Sequence, residues 1–142
     1  MKNKETVLPA PVLIVEDEAM IRSRLDLILS ELGYSQDMLI FAKNLAEAMQ
    51  IIASQPISLA LVDLGLPDGN GITLIEKLRG IDESALILVI SAWSTQQSLF
   101  ASIKAGANGY VLKERDDAEV LMSIRSILRG GAPIDPFLPE RF

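Results

Sequence analysis

Short apolar runs alternate with longer stretches of helical periodicity along almost the whole chain, and this alternation restricts the fold more than any other feature. Runs rich in Val, Ile and Leu occupy residues 12–15, 38–42, 59–62, 86–90 and 110–112. Each is too short for a helix and apolar on both faces, the pattern of a parallel strand buried on both sides. Between them, apolar residues recur at helical spacing: Ile21, Leu25, Ile28 and Leu32; Leu45, Ala48, Met49 and Ile52; Ile72, Ile75 and Leu78; Leu121, Ile124 and Leu128. Five strand–helix units in strict alternation predict an α/β, doubly wound parallel sheet with helices on both faces and right-handed crossovers. The stretch 95–105 has Leu99, Phe100 and Ile103 among many polar residues, which predicts a helix held loosely on the sheet.

Local punctuation agrees with this division. Asn44 with Glu47, Ser94 with Gln97 and Asp116 with Glu119 match a helix cap and its partner three positions later. Gly33, Gly80, Gly106 and Gly130 follow the ends of periodic segments, where a residue of positive φ commonly closes a helix. At 142 residues the chain has room for one domain. We place it at 11–130, after an N-terminal extension (1–10) and before a Pro- and Gly-rich tail or linker (131–142).

With neither cysteine nor histidine, the chain lacks disulfides, thiolate or imidazole metal ligands, and any nucleophile dependent on a His base. Its net charge of -6 argues against nucleic acid or an anionic membrane as a direct partner of this domain. The first apolar run is too short, and too soon acidic, for a signal peptide or membrane span, so a cytoplasmic location is the expectation.

In open parallel sheets the functional crevice lies at the carboxyl ends of the strands. There this sequence puts Glu16, Asp17 and Glu18 after the first strand, Asp63 after the third, Ser91 at the end of the fourth and Lys113 after the fifth. Carboxylates brought close together repel and need a counter-charge. With oxygen donors alone, a hard divalent cation such as Mg²⁺ suits Glu16, Asp17 and Asp63. Lys113 offers a second cation, and Ser91 a hydroxyl able to bond a tetrahedral anion attached to Asp63. Glu18 reads equally well as a cap of the following helix. Tyr110 reads as a core aromatic with its hydroxyl at the rim. No Gly-rich phosphate loop follows the first strand, which disfavours a nucleotide or flavin site there.

Glu16-Asp17, Asp63 in LVDLGLPDGNG, Ser91 in LVISAW and Lys113 in GANGYVLKERD together resemble a receiver domain of bacterial two-component response regulators, from about Val12 to Leu128. The resemblance implies a flavodoxin-like fold with strand order 2-1-3-4-5 and phosphorylation of Asp63 by a sensor histidine kinase or a phosphotransfer protein. By position it assigns Mg²⁺ to Asp17, Asp63 and the backbone carbonyl of Gly65, with Glu16 acting through water. It assigns the phosphoryl group to Ser91 and Lys113, and a rotamer change to Tyr110. Such a domain catalyses only its own phosphoryl transfer and dephosphorylation. The first acidic pair is Glu-Asp where the family most often has Asp-Asp, and position 91 is Ser where Thr is common. Gly65 and Trp93 occupy two variable positions that in the family tune the lifetime of the phosphoryl group. Complete switching of a two-state element needs roughly 5.5 kcal/mol, part of which homodimerisation or partner binding would supply.

The stretch from Gly106 to Pro136 is similar to receivers that precede a LuxR-type helix-turn-helix domain, through which DNA would be bound. PIDPFLPERF then reads as the opening of an interdomain linker, and the chain as part of a longer regulator of transcription. Two other readings compete. A haloacid dehalogenase-like phosphatase also phosphorylates a strand-end aspartate, but it wants a second acid two residues on, where Gly65 stands. A degenerate receiver would act as an interaction module without phosphorylation, against which stands the retention of Asp17, Asp63, Ser91 and Lys113.

Overall fold

The computed structural model describes residues 7–135. Its main sheet has five parallel strands, β1 (Val12–Val15), β2 (Leu39–Ala42), β3 (Leu59–Val62), β4 (Leu86–Ser91) and β5 (Gly109–Leu112), in the order β2-β1-β3-β4-β5. The connecting helices are α1 (Ala19–Glu31), α2 (Leu45–Ser54), α3 (Gly71–Ile81), α4 (Gln96–Ala105) and α5 (Asp117–Leu128). The doubly wound sheet is the one expected from the alternation of elements, and its strand order is the one the family resemblance implies. Among the described residues, no helix is long and apolar enough to cross a membrane.

Alternation along each strand divides the core in two. Leu13, Val15, Ala60, Val62, Ile87 and Val89 pack with Ala48 and Ile52 of α2, Leu74, Ile75 and Leu78 of α3, and Leu99 of α4. Val12, Ile14, Leu59, Leu61, Leu88 and Ile90 pack on the other face with Leu25, Ile28 and Leu29 of α1 and Val120, Ile124 and Ile127 of α5. Because both faces are covered, the strands need no polar alternation, which is why they read as continuous apolar runs.

Two of the three expected caps stand as read: Asn44 accepts from Glu47 N–H at 2.8 Å and Asp116 from Glu119 N–H at 3.0 Å. For α4 the cap is Thr95, which accepts from Ser98 N–H at 3.1 Å, one residue later than Ser94. Thr95 has the same hydroxyl acceptor as Ser94, so local sequence alone does not discriminate between them. Gly33, Gly106 and Gly130 have positive φ, whereas Gly80 is an ordinary residue of α3. Of the three apolar residues expected to anchor α4, Leu99 is buried, while Phe100 and Ile103 are about half exposed. Arg79 ties the far end of α4 to α3: its guanidinium donates to the carbonyls of Gly106 (2.7 Å), Glu83 (2.7 Å) and Ala85 (2.7 Å) and to Asn108 Oδ1 (2.9 Å).

The loop after β3 does more than reverse the chain. Gly65–Leu66 and Gly69–Asn70 form a two-stranded antiparallel hairpin. Asn70 then caps α3 by accepting from Ile72 N–H at 2.9 Å. Asp68 accepts from the backbone N–H groups of Leu45 (2.7 Å) and Ala46 (3.0 Å), so this loop also satisfies the start of α2. Those two bonds hold its carboxyl below the usual aspartate value.

Both ends of the described chain are tied to the body. Tyr34 donates its hydroxyl to Pro9 O at 2.8 Å, and Ser58 to Ala10 O at 2.8 Å. At the other end, part of the expected tail lies on the sheet. Tyr110 N–H donates to Pro133 O at 2.8 Å, Asp135 N–H donates to Tyr110 O at 3.0 Å, and Ile134 bridges Tyr110 in parallel. β5 is the last strand of the sheet, and this pairing satisfies backbone groups on its open edge. The rest of the expected linker, residues 136–142, lies outside the described residues.

Gly71 and Gly80 on the same helix should respond oppositely to alanine. A Cβ at Gly71 would overlap the carbonyl oxygen of Asp63 and sit 3.0 Å from Val62 Cγ1, whereas one at Gly80 meets nothing within 4 Å. Gly71→Ala is expected to lose about 1–3 kcal/mol, and Gly80→Ala to gain about 0.4–1 kcal/mol. Urea unfolding of the two variants beside the parent chain measures both.

Candidate functional site

The ladders of the sheet continue one residue past the named strands on its carboxyl edge. Glu16 N–H donates to Ala42 O (3.0 Å), Asp63 N–H to Val15 O (3.0 Å) and Lys113 N–H to Ser91 O (2.8 Å). The backbones that present Glu16, Asp63 and Lys113 are therefore still held by neighbouring strands. Rigid placement of this kind suits chemistry that needs fixed distances.

The Lys113 ammonium lies 3.0 Å from Glu16 Oε1, 3.1 Å from Asp63 Oδ2 and 3.2 Å from Glu18 Oε1. Its side chain is 14% exposed, and Glu16 and Asp63 are 1% and 4% exposed. Asp63 Oδ1 accepts from Gly65 N–H at 3.2 Å. Glu16 Oε2 accepts from Glu18 N–H at 3.0 Å, and Arg22 donates to Glu16 O at 2.9 Å. Glu18 begins α1 but makes no side-chain cap bond; its carboxylate turns to Lys113 instead.

Burial sets the direction of titration for the two inner acids. Desolvation raises the Glu16 carboxyl above its usual value, against the lowering effect of Glu18 N–H and Lys113. Desolvation likewise raises Asp63, with Lys113 opposing it and the charge of Asp17 adding to the rise. Burial pushes the Lys113 ammonium down, but hydrogen bonds to Glu16 and Asp63, and their charges, outweigh it and the net direction is up. One partly buried cation thus faces more negative charge than it neutralises.

Oxygen atoms of Glu16, Asp17 and Asp63 all lie within 4.8 Å of one another. Three carboxylates at that separation, two buried and one exposed, suit a hard divalent cation entering from solvent. The donor set thus fits Mg²⁺.

Ser91 and Tyr110 meet each other and the backbone of Trp93. Ser91 is fully buried and its Oγ accepts from Trp93 N–H at 3.1 Å. Tyr110 is also fully buried, and its hydroxyl donates to Trp93 O at 2.7 Å. Burial raises its phenol above the usual value. The Trp93 ring, 41% exposed, packs so close to Gly65 that a Cβ there would lie 3.2 Å from Cζ2. Trp93 therefore touches both sides of the crevice, through its backbone and through its ring.

Sequence reasoning did not identify Arg24, which holds the loop carrying Lys113. It donates to Lys113 O at 2.8 Å and to Arg115 O, and pairs with Asp117. Arg24 lies on α1, far from the loop in sequence, and nothing in its local pattern distinguishes it from an exposed helical arginine.

Comparison with known proteins was consistent across sequence and structure. A family model described as "Response regulator receiver domain" matches residues 12–125. The transcriptional regulatory protein PhoP of Escherichia coli K12 is 35% identical over 118 residues, covering 83% of this chain and 52% of PhoP. The chain thus spans about half the length of that curated relative. The crystal structure of a CheY-like receiver domain protein from Methanospirillum hungatei JF-1 is similar, with TM-score 0.76, 27% identity and coverage of 84% and 93% of the two chains. A two-component response regulator of the LuxR family from Aurantimonas sp. SI85-9A1 gives TM-score 0.75, 26% identity and 92% coverage of each chain.

The charge imbalance makes a test possible without any assay of function. In chelator-treated protein at neutral pH, Asp63→Asn should raise the thermal midpoint and Lys113→Met should lower stability by on the order of 1–3 kcal/mol. Since burial raises the Asp63 carboxyl, the native state binds this proton more tightly than the unfolded chain does. The cost of ionising it is absent below the ordinary aspartate value and complete above the raised one. The advantage of Asp63→Asn over the parent should therefore close as pH falls into the carboxylate range. Adding Mg²⁺ at ~100 times its Kd should stabilise the parent by about 2.7 kcal/mol, and Asp63→Asn by less. Thermal melts of the three proteins with pH and Mg²⁺ varied measure all of these.

Proposed function

Because the chain belongs to the response regulator receiver domain family, we propose that it is a phosphorylation-dependent switch in which Asp63 accepts a phosphoryl group from a sensor histidine kinase or phosphotransfer protein. Receiver domains are regulatory rather than classical enzymes, and this chain is read in the same way. One observation carries the reading. Asp63 is a buried carboxylate with one oxygen on the Lys113 ammonium and the other on Gly65 N–H, beside two further acids within 4.8 Å.

Glu16, Asp17, Asp63 and the carbonyl of Gly65 are the residues that would hold Mg²⁺. When bound, such an ion would offset the charge of these carboxylates and of an incoming phosphoryl group. In the transfer, an Asp63 oxygen bonds to phosphorus while the P–N bond to the donor's imidazole breaks. The bonding pair stays on the imidazole nitrogen, which takes up a proton. The new group adds about -1.5 to -2 of charge, by analogy with phosphorylated hydroxyl residues. Lys113 is already within reach of Asp63 and follows that charge. The Ser91 hydroxyl, which accepts from Trp93 N–H and bonds the Tyr110 side chain, would turn its proton to a phosphoryl oxygen and so release Tyr110. Tyr110 responds because its hydroxyl is bonded to the carbonyl of Trp93, two residues past Ser91. α4 follows in sequence directly after this segment and has only Leu99 and Ser102 buried, so it is placed to shift with it.

The output is read at a coarser level. Since the chain spans about half of PhoP, a transcriptional regulator, control of transcription through a separate DNA-binding domain is the reading we favour. The net charge of -6 agrees with DNA contact lying outside this domain. Exposed Phe100 and Ile103 on α4 and Met122 on α5 offer apolar surface for a homodimer or an output partner.

Acetyl phosphate with Mg²⁺ should add one phosphoryl group to the parent chain and none to Asp63→Asn, read by intact-mass spectrometry. Lys113→Ala should slow labelling about a hundredfold, and turnover of phosphomonoesters should be absent. A parent chain that stays unlabelled would overturn the reading in favour of a phosphorylation-independent module. Trp93→Ala should shorten the half-life of the phosphorylated protein, because the ring beside Gly65 restricts water. A half-life equal to the parent's would remove that role from Trp93.

A further inference from the structure

Asp135 is a buried carboxylate for which the phosphoryl chemistry has no use. Its side chain is 1% exposed although it follows α5 in a segment rich in Gly and Pro. Burying a carboxylate is costly unless it is paired and hydrogen-bonded, and Asp135 is both. Its Oδ2 accepts from Leu112 N–H at 3.1 Å and from Arg115 Nε at 3.0 Å. Those residues flank Lys113 and Glu114, so one carboxylate oxygen grips the chain on both sides of the lysine. The grip is reinforced through the backbone, since Tyr110 donates to Pro133 O at 2.8 Å and accepts from Asp135 N–H at 3.0 Å. On the opposite side, Arg24 of α1 holds the carbonyls of Lys113 and Arg115.

We propose that Asp135 is a positioning residue for Lys113, acting through Leu112 and Arg115, and that docking of residues 133–135 on β5 is thereby coupled to the phosphorylation state of Asp63. The coupling rests on the reading of Asp63 as phosphoacceptor. Its physical basis is that Lys113 must leave its arrangement among three carboxylates to follow a phosphoryl group, while its backbone is held by Ser91 and Arg24 and the strap ties Leu112 and Arg115 on either side of it. A docked strap limits that movement to the side chain and keeps the ammonium over Asp63. Coupling between two equilibria is reciprocal: if the strap favours the phosphorylated arrangement, phosphorylation tightens the strap by the same factor. The Mg²⁺ candidates, by contrast, come from β1 and β3 and the loops after them, whereas the strap's hydrogen bonds named above run to β5 and the loop after it. Because the Lys113 ammonium competes with a metal ion for Glu16 and Asp63, loosening it should slow phosphoryl transfer without lowering metal affinity.

The test uses the full chain and the variants Asp135→Ala, Asp135→Asn and Arg115→Gln. Mg²⁺ affinity is read from Trp93 fluorescence, labelling rate from acetyl phosphate, and docking from amide exchange with and without beryllofluoride and Mg²⁺. Asp135→Ala should slow labelling about fivefold or more with Mg²⁺ affinity unchanged or raised. Asp135→Asn, which keeps an acceptor for Leu112 N–H, should slow it less. In the parent chain beryllofluoride should slow exchange of the Tyr110 and Asp135 amides. Equal labelling rates in folded variants, or a parallel fall in rate and Mg²⁺ affinity, would overturn the positioning role, and unchanged amide exchange would overturn the coupling. Should Asp135→Ala fail to fold, Asp135→Asn and Arg115→Gln decide the same question. A parent chain that takes no label overturns this inference together with the phosphoacceptor reading, whereas normal labelling of the parent and all variants overturns this inference alone.

Discussion

A single ammonium held among three carboxylates, Lys113 with Glu16, Glu18 and Asp63, is the interaction to which the rest of the structure is arranged. The groups come from opposite ends of the chain. They meet because β1, β3, β4 and β5 run parallel and in register, so residues just past their carboxyl ends emerge at one edge. The ammonium does not fully offset the acids, and burial raises Glu16 and Asp63. A site left with excess negative charge favours a divalent cation, and it is sensitive to any group that alters the balance. The same electrostatic excess that weakens the fold locally is what makes the site responsive.

Around this centre, the loops carry more structural duty than their composition suggests. The segment after Asp63 closes a small hairpin, caps α3 through Asn70 and reaches back to α2 through Asp68. Asp63 is thereby fixed by a strand on one side and a doubly anchored loop on the other. The segment after Ser91 is different in kind. There Trp93 links Ser91, Tyr110 and Gly65, and α4 beyond it contributes Leu99 and the partly buried Ala105 to the apolar core. One side of the crevice is thus rigid and the other more lightly held, a division suited to an element with two arrangements.

Much of this was legible in the sequence, and the exceptions share a cause. Strand runs, helix faces and the strand-end residues Glu16, Asp17, Asp63, Ser91 and Lys113 follow from periodicity and from the rule that crevices form at carboxyl edges. The α4 cap moved from Ser94 to Thr95 because two adjacent hydroxyl residues have the same local signal. Gly80 has the signature of a helix end because glycine is favoured after a helix and costly inside one; here α3 runs through it all the same, held by its neighbours' packing. Glu18 had the sequence position of a cap, but Lys113 attracts its carboxylate more strongly than a backbone N–H does. Residues 133–135 had the composition of a linker, and composition does not register an open strand edge waiting beside it.

What the sequence by itself determined is local: the alternation of buried strands and amphipathic helices, the turn chemistry around Asp63, and the order in which chemically able residues arrive at one edge. These are encoded within a few residues, where hydrophobic period and backbone preference act. Only the tertiary structure decided which carboxylates share Lys113, that Ser91 and Tyr110 meet at Trp93, that Arg24 grips the loop after β5, and that Asp135 is buried against Arg115. Those pairings join residues far apart in the chain, and their distances depend on strand register and helix packing, which no local pattern records.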